Sequence, residues 1–197
     1  MSLLPGTRSH VGHVGERGPA PRDVSRTTVR LARPSEHADV GALLVDAYTH
    51  DYTISAAYLA SLREVAPRAA EHEVWVAAEA QAPGSQHEAP TQRLLGTVVT
   101  PRAGGAPLSP LARAGELDFR LLGVAPSARG GGVGELLTRH VLALARERRY
   151  RRVVMNSGPQ MTGAHRLYAR LGFRRLPERE TRVVDGDVRL LAFGIDL

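Results

Sequence analysis

The sequence predicts an α/β domain whose sheet has six or seven strands flanked by helices. Three observations carry this. Short runs of alternating apolar and polar residues recur along the chain. Segments with apolar residues at 3–4 spacing fall between them. Clusters of glycine and proline separate the two kinds. A hydrophobic fraction of 43% in 197 residues can fill one core without a metal or disulfide staple.

Residues 1–26 mix Gly, Pro, Arg, His and Ser without periodicity. Such a segment buries too little apolar area to offset its ordering entropy, so it reads as a flexible tail with no signal peptide, ahead of one domain over 27–197. "TTVRLAR" (27–33) alternates Val29 and Leu31 with polar neighbours and reads as a strand. Pro34-Ser35 then opens a helix carrying Val40, Leu43 and Leu44 on one side. "SAAYLASLREVAPRAAEHE" continues with a second helical pattern, interrupted at Pro67. "EVWVAAE" and "RLLGTVVT" are strands, joined across the turn chemistry of "QAPGSQHEAP" as a hairpin with a long loop. A second long loop, "RAGGAPLSPLARAG", precedes a fourth strand, "ELDFRLLGV" (116–124).

Next comes "APSARGGGVGELL", and with it a helix from about Gly132 to Arg149 whose face is Val133, Leu136, Leu137, Val141 and Leu144. "YRRVVMN" is a fifth strand, "TGAHRLYARLG" a short helix stopped by Gly172, and "FRRL" and "VRLLAFGIDL" supply the last strands.

Composition removes several chemistries. There is no cysteine, hence no disulfide, thiolate nucleophile or acyl-cysteine. All 26 basic residues are arginine, so no Schiff-base or phosphate-loop lysine is available. The net charge of +6 admits nucleic acid, an anionic cofactor or a plain preference for arginine. Arginines at helix ends, such as Arg146, Arg148, Arg149, Arg151 and Arg152, usually complement the dipole, and nucleic acid is disfavoured as a partner. No apolar run approaches the roughly 18 residues of a membrane span, and the expected location is cytoplasmic. The eight histidines show no metal-ligand spacing, and no metal is expected.

Glycine costs a helix about 1 kcal/mol per position relative to alanine. Four glycines (Gly130, Gly131, Gly132, Gly134) at a helix start therefore ask for a reason. A helix N-terminus offers unpaired N–H groups and partial positive charge. Glycine removes the Cβ that would keep an anion away, and Arg129 can fork onto phosphate oxygens. Strand, arginine, glycines and helix together make sense as a pyrophosphate cradle; a merely flexible turn is the plain alternative. The nucleoside-triphosphate loop is disfavoured because Gly134 is followed by Glu135, and the dinucleotide fingerprint because its third glycine is missing.

The pattern R/Q-x-x-G-x-G/A is met by Arg129, Gly132 and Gly134, after a strand ending Leu-Gly-Val. It resembles the acetyl-CoA motif of the GCN5-related N-acetyltransferase (GNAT) superfamily. "GAHRLYARLGF" resembles that superfamily's second signature. The pair, about 35 residues apart, resembles a small bacterial acetyltransferase subgroup over residues 27–197.

The resemblance implies a mixed, mostly antiparallel sheet with splayed fourth and fifth strands. The pantetheine arm of acetyl-CoA would bond to backbone of Leu122, Gly123 and Val124. The pyrophosphate would rest on amides of Arg129, Gly130, Gly131, Gly132, Val133 and Gly134, with Glu135 at the boundary. Asn156 would bond pantetheine amides or cap its strand. The reaction would be direct attack of an amine on the thioester in a ternary complex. Tyr168 would be the general acid for the departing thiolate, packing being its plain alternative. The Val124 amide would hold the oxyanion.

Glu116 and Asp118 alternate with Leu117 and Phe119, so both share a face with Arg120. Either carboxylate, or a water chain, would take the amine's proton; a salt bridge to Arg120 is the bland reading. The acceptor, a small-molecule or peptide amine, would be shaped by residues around 48–58 and 178–187, with Tyr48, Asp51 and Tyr52 suited to a cationic amine. A non-catalytic CoA-binding or regulatory module on the same fold is the alternative function. Dimers are common among such proteins, which leaves monomer and homodimer both open.

Overall fold

The computed structural model describes residues 24–80, 92–184 and 187–197. Most of the predicted tail and the loop inside the first hairpin lie outside these residues. The tail's last residues do not behave as tail. Val24–Arg26 form a 3-10 turn, and Val24 packs against the core. The described fold thus starts three residues before the predicted boundary.

Strand β1 (Thr27–Leu31) leads through a 3-10 turn at Pro34–Glu36 into α1 (His37–Thr49). Val40, Leu43, Leu44 and Ala47 are all buried, the i, i+3, i+4, i+7 face that 3.6-residue periodicity requires. Two short helices follow, α2 (Ala56–Arg63) and α3 (Val65–Glu71). The break between them is at Glu64, not at Pro67 as predicted. Pro67 sits in the first turn of α3, where its missing N–H would have no partner anyway. Ser55 caps α2 by accepting from the Tyr58 amide at 3.1 Å.

Strands β2 (His72–Glu79) and β3 (Leu94–Pro101) pair antiparallel, as the hairpin reading expects. The predicted fourth strand is in fact two: β4 (Glu116–Asp118) and β5 (Arg120–Val124). They join different sheets. The first sheet runs β1-β2-β3-β5. The second runs β4-β6-β10-β7, with β6 at Arg152–Ser157, β7 at Arg174–Arg175 and β10 at Leu191–Asp196. Among the described residues only the β4–β6 pair is parallel. Between Asp118 and Arg120 the chain leaves one sheet for the other. Leu121 follows at φ +53°, in the left-handed region, and the register with β3 slips at the same place. Apolar and polar residues alternate without a break from Glu116 to Leu121, so nothing in the pattern marks the change of sheet at Phe119.

Two helices complete the domain, α4 (Val133–Glu147) and α5 (Thr162–Arg170). A small hairpin, β8 (Val183–Val184) with β9 (Val188–Arg189), was not anticipated as a unit. The first sheet is covered on both faces. One core lies beneath α4 and includes Val98, Leu137, Val141 and Phe119. The other lies beneath α1 and α2 and includes Val40, Leu44, Leu62 and Val76. Leu136, expected in the core face of α4, is only half-buried. Among the described residues, no helix is long and apolar enough to cross a membrane.

Close approach of α4 to the sheet depends on Gly96. A Cβ there would stand 2.9 Å from the Gly123 carbonyl oxygen and 2.9 Å from Val133 Cγ1. Gly96→Ala is expected to lower the free energy of unfolding by about 1–3 kcal/mol, read as a lower urea midpoint. An unchanged midpoint would show that sheet and helix part at no cost.

Candidate functional site

Beyond Arg120 the two sheets diverge, and β5 is left as an edge. Gly123 pairs with Thr97 and Val124 with Gly96, while the Ala125 amide donates to the Leu95 carbonyl at 2.9 Å. Bonded and non-bonded pairs alternate along an antiparallel ladder. The N–H and C=O of Val124 therefore point away from β3, toward the open side. Gly123 faces the other way around; a Cβ on it would meet Leu44 at 3.1 Å, so its place is the α1 interface.

The glycine turn follows directly. Gly130 (φ +75°) and Gly132 (φ +82°) are both left-handed, a conformation nearly free for glycine and costly for other residues. Gly132 is the N-cap of α4. The amides from Gly130 to Glu135 donate to no carbonyl among the described residues; the first bond of the helix is Leu136 N–H to Gly132 O at 2.9 Å. Six amides are thus left open at the start of α4. Two of the predicted contributors act otherwise. The Arg129 guanidinium turns back to α1, pairing with Asp51 and donating to the Ala47 carbonyl at 2.8 Å. It tethers the turn rather than reaching over it. Gly134 is needed for packing as well, since a Cβ there would lie 3.2 Å from Leu167 of α5. Glu135 pairs with Arg139 one turn on, at 2.8 Å.

Tyr168 lies at the meeting of the two sheets, 2% exposed. Its ring packs edge-on to Phe119 at 6.2 Å and beside Phe173 at 5.6 Å. Burial pushes its phenol well above the ordinary value of 10, helped by the nearby Tyr52. The hydroxyl keeps its proton, and among the described residues no hydrogen bond engages it. Packing and a chemical role are both open to it.

The two strand carboxylates behave differently from the expectation of a base. Glu116 is 5% exposed and holds Arg179 through two contacts, at 2.7 and 3.1 Å, while accepting from the Arg113 amide at 3.0 Å. Burial raises its pKa, but the Arg179 hydrogen bonds, the Arg113 amide and the charges of Arg179 and Arg152 outweigh it, and the net direction is downward. Asp118, 1% exposed, accepts from the Leu108 amide and the Ser109 hydroxyl, each at 2.9 Å. Burial raises its pKa against those two bonds. Neither carboxylate lines the cavity described next, and neither pairs with Arg120. Glu116 anchors the turn before β8, and Asp118 pins the loop before β4.

A cavity of about 700 Å³ opens between α1–α3, β5, the segment after β6 and the β8–β9 hairpin. Both regions expected to shape an acceptor site contribute, through Tyr48, Ile54 and Tyr58 on one side and Arg182 and Val184 on the other. Asn156 lines it too, donating weakly to the Leu191 carbonyl at 3.4 Å. Asp51, expected beside a cationic amine, is instead held by Arg129, and Tyr52 is not in the lining. Sequence reasoning missed Arg68, Arg120 and Arg182, which do line it. They come from widely separated segments, and no local pattern connects them. It also missed a contact at the rim, His165 Nε2 to Ser157 Oγ at 3.1 Å. Of the arginines at and after the end of α4, Arg148 holds Glu73 at 2.8 Å and Arg152 holds Asp196 at 2.6 Å. Among the described residues no group of three or more His, Cys, Asp or Glu could hold a metal ion.

The site is thus an α/β sheet split beside an amide-lined turn, with a cavity at the split. Residues 92–173 match the model of the acetyltransferase (GNAT) family. A GNAT-family acetyltransferase from Staphylococcus aureus superposes with a TM-score of 0.64 at 12% identity, over 87% of this chain and 99% of that one. Spermidine N-acetyltransferase from Vibrio cholerae, solved with CoA and spermine, superposes with a TM-score of 0.56 at 16% identity, over 87% and 96%. N-acetylaspartate synthetase of Danio rerio is 34% identical over 73 residues, 37% of this chain. The chain spans only 26% of that relative's length.

Glu116→Gln is expected to lower stability by about 3 kcal/mol or more, because Arg179 is left buried without its counter-charge. The folded pKa of Glu116 lies below its unfolded value. Its contribution is therefore fully present above the ordinary value of 4.5 and is lost as pH falls through the lower folded value. Thermal melts across that acid range should show a weaker pH dependence in the variant; parallel curves would contradict the assignment.

Proposed function

We propose that the chain is an N-acetyltransferase that passes the acetyl group of acetyl-CoA directly to a primary amine. The observation that carries this reading is the pairing of six unengaged amides, Gly130 to Glu135, with the open backbone edge at Val124. A diphosphate suits the first and an extended amide chain the second. The match of residues 92–173 to the acetyltransferase (GNAT) family model and the CoA-bound neighbour support the same donor.

The amine nitrogen attacks the thioester carbonyl carbon. A C–N bond forms, the C–S bond breaks, and the sulfur leaves with its electron pair as CoA thiolate. The Val124 N–H, pointing to the open side, is the donor for the oxyanion that develops. The Tyr168 phenol serves the departing sulfur. Proton transfer from a phenol of raised pKa to a thiolate is uphill, so its chemistry favours a hydrogen bond to the sulfur as charge develops. With Glu116 and Asp118 engaged elsewhere, the amine's proton goes to cavity water. Arg129 contributes by fixing the turn to α1 rather than by contacting phosphate. The names of relatives span polyamine and aspartate acceptors, so family alone leaves the acceptor's charge open.

Calorimetric titration with acetyl-CoA tests the reading first. Uptake is expected in wild type and a loss of tenfold or more in Gly132→Glu, which sets a carboxylate and a strained backbone at the cradle. No uptake by folded wild-type protein would overturn the reading. Tyr168→Phe should lower kcat by about 10²-fold or more while leaving acetyl-CoA affinity within about twofold. Unchanged turnover in that variant would return Tyr168 to packing alone. Coenzyme binding with no CoA release across amines would leave the non-catalytic module.

A further inference from the structure

Three guanidinium groups line one wall of the 700 Å³ cavity: Arg68 from α3, Arg120 from the start of β5 and Arg182 from just before β8. Elsewhere eight of the described arginines hold a carboxylate, among them Arg30, Arg129, Arg148, Arg175 and Arg179. Among the described residues these three hold none. Arg68 donates one nitrogen to the Ser61 carbonyl at 2.6 Å, and its other terminal nitrogen is buried with no partner. Asp118, whose charge reaches Arg182, is committed to Leu108 and Ser109, and the charge of Glu64 reaches Arg68. The carboxylates that share the cavity, Glu64 and Glu71, are exposed at its rim. Burial first, and then the charge of Arg120, pull the pKa of both Arg68 and Arg182 down. Arg120 thus lies within electrostatic reach of both neighbours. Like charges gathered in a partly dry pocket repel, and an anion relieves that repulsion.

We infer that the cavity takes an amino dicarboxylate, with Arg120, flanked by Arg68 and Arg182, as the group that binds its carboxylates. Planar guanidinium matches carboxylate in two-point contact. Three such groups call for more than one carboxylate. The arrangement also acts on the nucleophile. An ammonium brought near three guanidinium groups loses its proton more readily than in water. The acceptor would then present a neutral amine without a dedicated carboxylate base, which fits the engagement of Glu116 and Asp118. A polyamine would meet repulsion at every position. This deepens the transferase reading and rests on it.

Succinate, which has two carboxylates and no amine, probes the site without reaction. Calorimetry on the chain alone should register succinate uptake, accompanied by a rise in melting temperature. Arg120→Gln and Arg182→Gln should each weaken it by about tenfold or more, with acetyl-CoA affinity unchanged. Arg182→Gln carries the test if Arg120→Gln does not fold. Failure of wild type to bind succinate, or equal binding by both variants, overturns the inference. Succinate uptake without acetyl-CoA uptake supports the anion site while sinking the transferase reading. In turnover, aspartate and glutamate should be preferred over their diamides and over spermidine. Equal or better use of the diamides or spermidine overturns the inference.

Discussion

One backbone event organises the molecule: a strand that changes sheets between Asp118 and Arg120. Before it, Glu116 to Asp118 pair with β6; after it, Arg120 to Val124 pair with β3. The opening between the sheets, the free edge at Val124 and the cavity beneath it all descend from that departure. Phe119 holds the junction from inside, 1% exposed and packed edge-on to Tyr168 and Phe173. A hydrophobic plug there lets the two sheets part on one side while remaining one core on the other. Nothing needs to move for the opening to exist.

Charge is distributed to support the same geometry. The carboxylates of the divided strand are turned inward to hold the surroundings of the split, Glu116 through Arg179 and Asp118 through the loop at Leu108–Ser109. Arg129 joins the glycine turn to the end of α1. Buried ion pairs add little net stability, yet they tolerate few alternative arrangements. Here they fasten the loops that border the cavity, and among the described residues its own arginines hold no carboxylate.

Local physics made much of this legible in advance. Helical periodicity located α1 and α4, alternation located β1 to β3, and the glycines at 130 and 132 pointed to the left-handed turn that the structure contains. The division of Glu116 to Val124 was not legible, because alternation continues through it and the switch is decided by what each half pairs with. The partners of Glu116 and Asp118 were not legible either. A carboxylate's neighbour in sequence, Arg120, looked like its partner, whereas the actual one, Arg179, arrives from a distant turn. The same holds for Arg68, Arg120 and Arg182, which become one surface only after three separate segments have packed.

Leu121 shows what this architecture asks of its backbone. A leucine at φ +53° costs of order 1–2 kcal/mol relative to an ordinary strand conformation. In return two consecutive residues, Arg120 and Leu121, both line the cavity, where a regular strand would send them to opposite faces. Tension at this hinge is thus the means by which a cationic and an oily group are presented side by side. A softer residue in that place would make a sturdier fold and a less discriminating host.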